Sequence, residues 1–340
     1  MKNEKHKNLK ERLINFFKNP KEVISFFLPI IITICLLIPV PYYIKLGGGT
    51  ISLDDKISID GEKDKNASLD ALYVKEAKGV VLTYLLSYVV PGFDKEKIEE
   101  VRVDNDSDYN YREKLYFTTS LDAATKVAFS KAGKDVSISS SKFLVLYVDK
   151  SSKSSLKVGD QILEIDNKSF NSYEEMTKLV ESASNKKKLK IKVKRDDKDI
   201  ITYNELIKID NKYKLGVAIS NEIKYTSTPK VDFNFSGKQA GPSGGFMIAL
   251  TIYNKLVDED VTHGKKIVGT GTIDTNGVVG EIGGIKYKLI AASKSNADIV
   301  FVPKDNYKEA KKLKDEKKYT FDLVSISNFD DALEYLNKLK

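Results

Sequence analysis

The chain has 340 residues, of which 41% are hydrophobic and 31% charged, and its formal net charge is +8 at pH 7. This length is enough for a membrane anchor and two or three folded domains, and the hydrophobic content excludes an intrinsically disordered chain. The single cysteine, Cys35, lies in an apolar segment, so disulfides are excluded, and the rest of the chain has no cysteine for a nucleophile or a metal site.

The N-terminal region has the pattern of a single-pass membrane anchor. Val23 to Ile44 is an uncharged stretch of 22 residues, long enough to cross the hydrocarbon core as a helix. The tail before it, residues 1–22, contains seven Lys or Arg and three Glu, which predicts a cytoplasmic tail and places everything after residue 44 outside the cytoplasm. A cleaved signal peptide is the alternative, but the stretch ends in Val40-Pro41-Tyr42-Tyr43 rather than in small residues.

The charge is not distributed as in nucleic-acid-binding proteins. The tail carries +4 of the net +8, which leaves +4 for everything after it, so we predict no nucleic-acid partner. The most basic run, 186–195, alternates Leu189, Ile191 and Val193 with lysines, which is typical of a strand with one solvated face.

Residues 45–133 are predicted to form an α/β segment that packs with the C-terminal domain. A strand-like run over Leu69–Val74 precedes an apolar helix-like run over Val80–Val90. A helical pattern then extends from about Tyr111 to Ala132. A Ser-rich stretch, Ser137–Ser141, follows and leads into a β-rich run, Phe143–Val148.

A second unit is predicted over residues 134–210. A turn at Gly159-Asp160 leads into the string Ile162-Leu163-Glu164-Ile165-Asp166-Asn167, and Ser172 with Glu175 forms a capping box before an amphipathic helix. Over about 80 residues this pattern resembles a PDZ domain. The resemblance implies binding of an extended peptide as an added strand at a sheet edge.

The usual Gly-Leu-Gly-Phe carboxylate loop of PDZ domains is not found ahead of Phe143, and we expect the Ser-rich stretch to take its place. A structural domain that binds no free peptide is the alternative.

The last 130 residues, 211–340, alternate strand-like and helix-like runs, which predicts an α/β domain. The strand-like runs are Leu215–Ile219, Val231–Phe235, Ile267–Thr270, Ile299–Val302 and Phe321–Val324. The helix-like runs are Phe246–Leu256, Lys286–Ser293, Tyr307–Lys314 and Phe329–Leu339.

Ser243 is a candidate nucleophile in the run Gly241-Pro242-Ser243-Gly244-Gly245, just before an apolar helix. Unpaired N–H groups at a helix N-terminus suit the oxyanion that forms when a hydroxyl attacks a carbonyl. The flanking glycines, Gly241 and Gly244 among them, allow a substrate backbone to approach closely. The alternative is that Ser243 is only the N-cap of the helix.

Lys288 is the candidate base. An ordinary lysine, with a pKa of about 10.4, is almost entirely charged at pH 7, so burial and a helix N-terminus must lower the pKa. Lys288 flanks an apolar helix face after Gly283-Gly284, whereas Lys286 lies further round and is the weaker candidate. The alternative for both is a solvated charge. Of the two histidines, His6 lies in the tail and His263 in a polar run, which makes a Ser-His-Asp triad less economical.

Together these motifs resemble the proteolytic domain of Lon-type proteases, which use a Ser-Lys dyad. The resemblance implies that Ser243 is the nucleophile, that Lys288 is the base as the second lysine of a Gly-Gly-x-Lys-x-Lys string, and that Thr270 hydrogen-bonds this lysine. Two departures are Ala240, where the family usually has Asp, and a Ser-to-Lys spacing of 45, two longer than in the large cytosolic members. Further matching runs are Thr270-Gly271, Ala291-Ala292 and Val302-Pro303-Lys304-Asp305-Asn306.

The expected fold is therefore an α/β Lon-type proteolytic domain plus a PDZ domain, preceded by one transmembrane helix. This order resembles the membrane-anchored, PDZ-containing Lon-like peptidases of Gram-positive bacteria. The sequence has no Gly-x-x-x-x-Gly-Lys-[Ser/Thr] phosphate loop, which predicts cleavage without ATP of extended substrates such as small secreted peptides or exposed segments of membrane proteins.

The predicted chemistry requires no metal and no cofactor. The alternative function is a proteolytically inactive, surface-anchored peptide-binding adaptor, which Ala240 favours. A homo-oligomer, as in Lon rings, is a further expectation.

Overall fold

The computed structural model describes residues 11–61, 67–90, 92–98, 105–183, 188–209, 211–237 and 239–339. The chain divides into two units, of which unit 1 comprises Met1–Gly47 and Val74–Val103, and unit 2 comprises Gly48–Tyr73 and Asp104–Lys340.

The helices are α1 (Pro20–Leu37), α2 (Val81–Leu86), α3 (Asp106–Lys131), α4 (Tyr173–Ser182), α5 (Gly245–Leu256), α6 (Ile285–Lys294), α7 (Lys304–Lys317) and α8 (Phe329–Asn337). The strands are β1 (Pro39–Ser52), β2 (Ile57–Ile59), β3 (Leu69–Val80), β4 (Asp94–Lys97), β5 (Asp135–Val148), β6 (Gln161–Ile165), β7 (Leu189–Arg195), β8 (Lys198–Asn204), β9 (Ile207–Ile209), β10 (Lys212–Lys214), β11 (Val217–Thr228), β12 (Val231–Phe233), β13 (Ile267–Gly269), β14 (Thr272–Ile273), β15 (Val279–Gly280), β16 (Ile299–Pro303) and β17 (Asp322–Ile326).

Unit 1 contains the apolar helix α1, which by length and composition could cross a membrane. A signal sequence meets the same criteria. The helix begins after Asn19, whose side chain accepts a hydrogen bond from the backbone of Lys21. It ends at Leu37, and the residues from Pro39 onward belong to β1. The predicted helical span to Ile44 is thus too long, because the residue before a proline is pushed into the extended conformation that Ile38 adopts.

Within unit 1, the strand β1 lies between β3 and β4. Tyr42 to Lys45 pair antiparallel with β4. The helix α2 follows β3, and Val81 N–H donates to the carbonyl of Ile38 at 3.0 Å. The apolar run predicted as a helix over Val80–Val90 is thus helical only over Val81–Leu86.

Unit 2 contains an α/β domain built on the sheet order β17-β16-β13-β3-β1. The strands β3, β13, β16 and β17 are parallel neighbours. The strand β16 is buried along its whole length, as expected for a parallel strand covered on both faces. One face packs against α3, α5 and α8, and the other packs against α6 and α7. The predicted α/β class is confirmed.

A five-stranded antiparallel sheet, β11-β5-β6-β7-β8, forms a second core in unit 2 with α4. The predicted cap of α4 is present, since Ser172 Oγ accepts from Glu175 N–H at 3.1 Å. A tight turn follows β6, where Asp166 and Asn167 both adopt a positive φ. The salt bridge between Arg195 and the fully buried Asp160 fastens β7 to the turn before β6.

Two predictions for this second sheet are wrong. The run Leu215–Ile219, assigned to the C-terminal domain, leads into β11, which pairs with β5 beyond the predicted boundary at residue 210. The Ser-rich stretch Ser137–Ser141 is no loop but part of β5, and its hydroxyls bond to β11, for example Ser139 Oγ to the carbonyl of Lys224. Pairing along all of β5 leaves no free loop at this position.

The 26-residue helix α3 connects the two cores of unit 2. Leu115 packs against Leu144 and Leu146 of β5. Ala124, Phe129 and their neighbours pack against α5 in the core of the α/β domain.

Candidate active site

Ser243 lies immediately before the N-terminus of α5. The helix begins at Gly245 with Gly244 as its N-cap and has no side-chain cap. The alternative of Ser243 as an N-cap is therefore wrong. Its hydroxyl has no hydrogen-bond partner among the residues that the structure describes.

The main chain of Ser243 is fixed by the end of β13. Its carbonyl oxygen accepts hydrogen bonds from Gly271 N–H at 2.8 Å and from Thr270 Oγ1 at 3.0 Å. Gly271 also accepts a hydrogen bond from Phe246 N–H at 3.1 Å. A Cβ at Gly271 would lie 2.7 Å from a methyl of Val279, so glycine is needed for this close approach.

Lys288 lies in the first turn of α6, whose N-cap is Gly284 with φ +71°. Its side chain is only 2% exposed, and this burial lowers the pKa of Lys288 from 10.5 to about 7. The amine Nζ donates a hydrogen bond to Thr270 Oγ1 at 2.9 Å. Lys286, the weaker candidate, is exposed.

Thr270 joins the two candidate residues. Its hydroxyl accepts from Lys288 Nζ and donates to the carbonyl oxygen of Ser243. The amine is thus linked to the main chain of Ser243 rather than to its hydroxyl. A neutral amine in this position can accept a proton near pH 7.

Two backbone N–H groups at this loop are available to a ligand. Gly245 N–H is used by the carbonyl of Pro242 at 3.0 Å, and Phe246 N–H is used by Gly271. The N–H groups of Ser243 and Gly244 have no partner among the described residues. They are the donors that could bind an oxyanion at the start of α5.

The glycines that flank Ser243 differ in whether their backbone conformation requires glycine. Gly241 has φ +79°, and its N–H donates to the carbonyl of Glu113 on α3 at 3.0 Å. Gly244 has an ordinary φ of −95°, and a Cβ there would make only ordinary contacts, with Ala71 at 3.8 Å and Ile248 at 3.9 Å. Ala240, which stands where the family usually has Asp, is exposed.

Two residues near the site had no role assigned from sequence. Asn306 in α7 is buried, accepts from Ile282 N–H at 2.9 Å and donates to the Ile282 carbonyl at 3.0 Å, which fixes the segment leading into Gly283-Gly284. In the sequence it stands only as the last residue of the run Val302-Pro303-Lys304-Asp305-Asn306. Glu113 comes from outside the predicted C-terminal domain, and no sequence signal marks it.

His263 does not form part of this arrangement. It lies in the turn region before β13 with φ +48°, and its Nε2 has no hydrogen-bond partner in the described part of the chain. Among the described residues, no three His, Cys, Asp or Glu side chains are grouped as metal ligands.

Comparison with known proteins identifies two domains. Residues 236–338 match the family model of the Lon protease (S16) C-terminal proteolytic domain, and residues 127–202 match the model of the PDZ domain. The Lon protease of Mycoplasma mobile is 33% identical over 134 residues, which are 36% of this chain and 15% of that protein. Lon protease 2 of Borreliella burgdorferi is 34% identical over 130 residues, 37% of this chain and 16% of that protein.

Among solved structures, the PDZ domain of the SdrC-like protein from Listeria innocua is 29% identical, covering 23% of this chain and 92% of that chain, with a TM-score of 0.22. The matches to the two Lon proteases span about 15% of the length of those relatives.

Proposed function

Because the chain carries a Lon-type proteolytic domain and a PDZ domain, we propose that it is a membrane-anchored serine endopeptidase that acts outside the cytoplasm without ATP. In this mechanism, Ser243 Oγ attacks the peptide carbonyl. The neutral amine of Lys288 takes the hydroxyl proton and transfers it to the leaving amine as the peptide C–N bond breaks. Water, deprotonated by the same amine, then hydrolyses the acyl-enzyme ester and restores the Ser243 hydroxyl. Thr270 holds Lys288 in place, and the N–H groups of Ser243 and Gly244 stabilise the oxyanion.

The observation that carries this proposal is the environment of Lys288. A buried lysine with a structural role normally has an acidic partner, as Lys255 does with Asp54 at 2.7 Å. Lys288 is bonded instead to the neutral hydroxyl of Thr270, and burial is the cause of its lowered pKa. A buried titratable group whose pKa is shifted in this way, bonded to the loop that carries a serine, is typical of a catalytic site.

We propose that the PDZ domain binds an extended peptide along β11. This strand is at the edge of its sheet and follows Leu215-Gly216, where Gly216 has φ +68°. Val217 and Ile219 pack onto the core that includes Met176 of α4. Since Asp122 occupies the N–H of Tyr225, the proposed peptide pairs with the first half of β11.

The first experiment compares the full-length parent with Ser243→Ala and Lys288→Met on an unfolded casein-like protein and a mixture of secreted peptides. Products are identified by mass spectrometry. We expect the parent to cleave and each variant to lose at least about 10³-fold in rate. Lys286→Met is the matched control, because this lysine is exposed on the same helix. Equal cleavage by the parent and Ser243→Ala contradicts the proposal.

A second candidate function is a peptide-binding adaptor without proteolytic activity. The observation in its favour is Ala240, which replaces the Asp usual in the family. An adaptor binds the same peptide equally well as the parent and as Ser243→Ala, and it releases the peptide intact from both. Fluorescence anisotropy followed by mass spectrometry of the recovered peptide separates the two functions.

A further inference from the structure

Three large apolar side chains are exposed within five residues at the end of α2. Leu85 is 53% exposed, Tyr88 65% and Val89 74%. They lie in a run of 15 residues without a charged side chain, 79–93. A helix needs about 20 residues to cross a bilayer, so this run is too short for a second span. An apolar patch of this kind on a protein surface is typical of an interaction site.

The patch begins where α1 ends. Val81 N–H donates to the carbonyl of Ile38, the C-terminal cap residue of α1, at 3.0 Å. With 18 residues, α1 is about 27 Å long, close to the thickness of the hydrocarbon core. If α1 spans the membrane, its end at Leu37 and the start of α2 lie at the boundary between acyl chains and headgroups.

The side chains beside the patch are those found at membrane interfaces. The rings of Tyr42 and Tyr84 lie 4.9 Å apart, and those of Tyr84 and Tyr88 lie 5.5 Å apart. Lys95 Nζ lies 3.2 Å from the ring centre of Tyr88 and 4.2 Å from that of Tyr84. Tyrosine is enriched at the headgroup level. Lys95 Nζ is buried against these rings.

We propose that Leu85 and Val89 insert into the leaflet that α1 enters, with Tyr42, Tyr84 and Tyr88 at the headgroup level. This inference rests on the membrane anchor of the proposed function. The occupant is lipid rather than another protein, because the patch continues directly from the end of the membrane helix. An apolar surface of this kind reaches about 5–10 Å into the boundary between headgroups and acyl chains.

The chain contains no tryptophan, so each introduced tryptophan is a unique fluorescent reporter. We would place Leu85→Trp, Val89→Trp, Ile31→Trp and Val278→Trp separately in the full-length chain and reconstitute it into phosphatidylcholine and phosphatidylglycerol vesicles. Ile31 lies in the middle of α1, and Val278 is an exposed residue between β14 and β15 of unit 2. The acyl chains carry bromine either near the headgroup or near the methyl end.

We expect shallow bromine to quench residues 85 and 89 about two-fold or more, deep bromine to quench residue 31 most strongly, and neither to quench residue 278. Quenching of residue 31 without quenching of residues 85 and 89 overturns the inference and leaves the anchor intact. Absence of quenching at residue 31 removes the anchor, and the inference with it. Blue-shifted emission from residue 85 without bromine quenching shows that protein covers the patch, which also overturns the inference.

Discussion

At the scale of single residues, Lys255 and Lys288 show what it costs to bury an amine without an acidic partner. Lys255 is 3% exposed and lies 2.7 Å from a carboxylate oxygen of Asp54. Lys288 is equally buried, but it is bonded to a neutral hydroxyl. A pKa lowered from 10.5 to about 7 corresponds to about 5 kcal/mol against the charged amine. The fold therefore keeps a large fraction of the Lys288 amine neutral near pH 7, at a cost to stability.

The pH dependence of the reaction follows from this pKa. The amine must be neutral to accept the proton of Ser243, so we expect kcat/KM to rise with pH through a midpoint at about 7. The measurement is the initial rate of cleavage of an unfolded substrate between about pH 5.5 and pH 9, a range that spans this midpoint. A rate that is constant or falls as pH rises through this range contradicts the role of Lys288 as the base.

The titration of the Lys288 amine also makes the stability of the fold depend on pH. The folded pKa of about 7 lies below the unfolded value of 10.5, so the unfolded chain binds more protons between these limits and stability rises with pH there. We expect Lys288→Met to be more stable than the parent at pH 6, by at most about 5 kcal/mol, with a difference that shrinks toward pH 10. Urea denaturation at several pH values measures it. An equal difference at all pH values excludes this origin of the effect.

Thr270 is expected to position Lys288. Thr270→Val removes the acceptor for Lys288 Nζ and one donor to the Ser243 carbonyl, so we expect kcat to fall about 10- to 100-fold with little change in KM. Loss of an acceptor for the charged amine also lowers the pKa of Lys288 further, so the midpoint of the pH profile moves to lower pH. Thr270→Ser keeps the hydroxyl and is the control. If it loses as much activity as Thr270→Val, the hydroxyl is not the important group.

At the scale of elements, Asn306 shows how one helix fixes another. Both polar ends of its side chain bond to the backbone of Ile282, just before the glycines that begin α6. We expect Asn306→Ala to destabilise the fold by about 2–4 kcal/mol, because it leaves two buried backbone groups unpaired. The exposed Lys308 on the same helix provides the control, and Lys308→Ala should change stability by less than about 0.5 kcal/mol.

Denaturation of both variants measures the change in the free energy of unfolding. Activity assays under conditions in which the variants stay folded show whether α6 still positions Lys288. A cost of Asn306→Ala no larger than that of Lys308→Ala would mean that water replaces the lost bonds.

The elements that sequence could predict are those whose signal is local. The apolar run of β16 and the amphipathic α4 with its Ser172 cap carry their pattern within a few residues. The pairing of β11 with β5 joins residues about 80 positions apart, such as Ser141 and Ile223, and nothing local specifies it. The secondary structure of the apolar stretch after residue 37 is also ambiguous from the sequence. Its composition fits a helix, whereas Pro39 and Pro41 favour the extended conformation of β1.

The same distinction applies to the candidate site. Ser243, Lys288 and Thr270 were predicted because each lies in a glycine-marked motif of a family with known chemistry. The hydrogen bonds of Thr270 to Lys288 Nζ and to the carbonyl of Ser243 are consistent with the proposed roles. The experiments above test these roles. The contact of Glu113 with Gly241 links a helix to a loop more than a hundred residues later, so only the folded chain reveals it.

At the scale of the whole molecule, the chain carries a Lon-type proteolytic domain and a PDZ domain in unit 2 and an apolar helix in unit 1. The 340-residue sequence contains no phosphate loop of the Gly-x-x-x-x-Gly-Lys-[Ser/Thr] type. For the proposed peptidase, we therefore expect a substrate to reach Ser243 only through a segment that is already extended.

This dependence predicts how cleavage responds to the stability of a substrate. For a small two-state domain, a core substitution that costs about 2.8 kcal/mol raises the unfolded population about 100-fold, since each 1.4 kcal/mol is a factor of ten. When unfolding and refolding are fast relative to cleavage, we expect the destabilised domain to be cut about 100-fold faster than its parent, with no effect of added ATP. Gel densitometry measures both rates, and a permanently unfolded peptide with the same cleavage site is the control, because its rate should not change between conditions. Equal rates for the two domains, or stimulation by ATP, would show that the enzyme opens folded substrates itself.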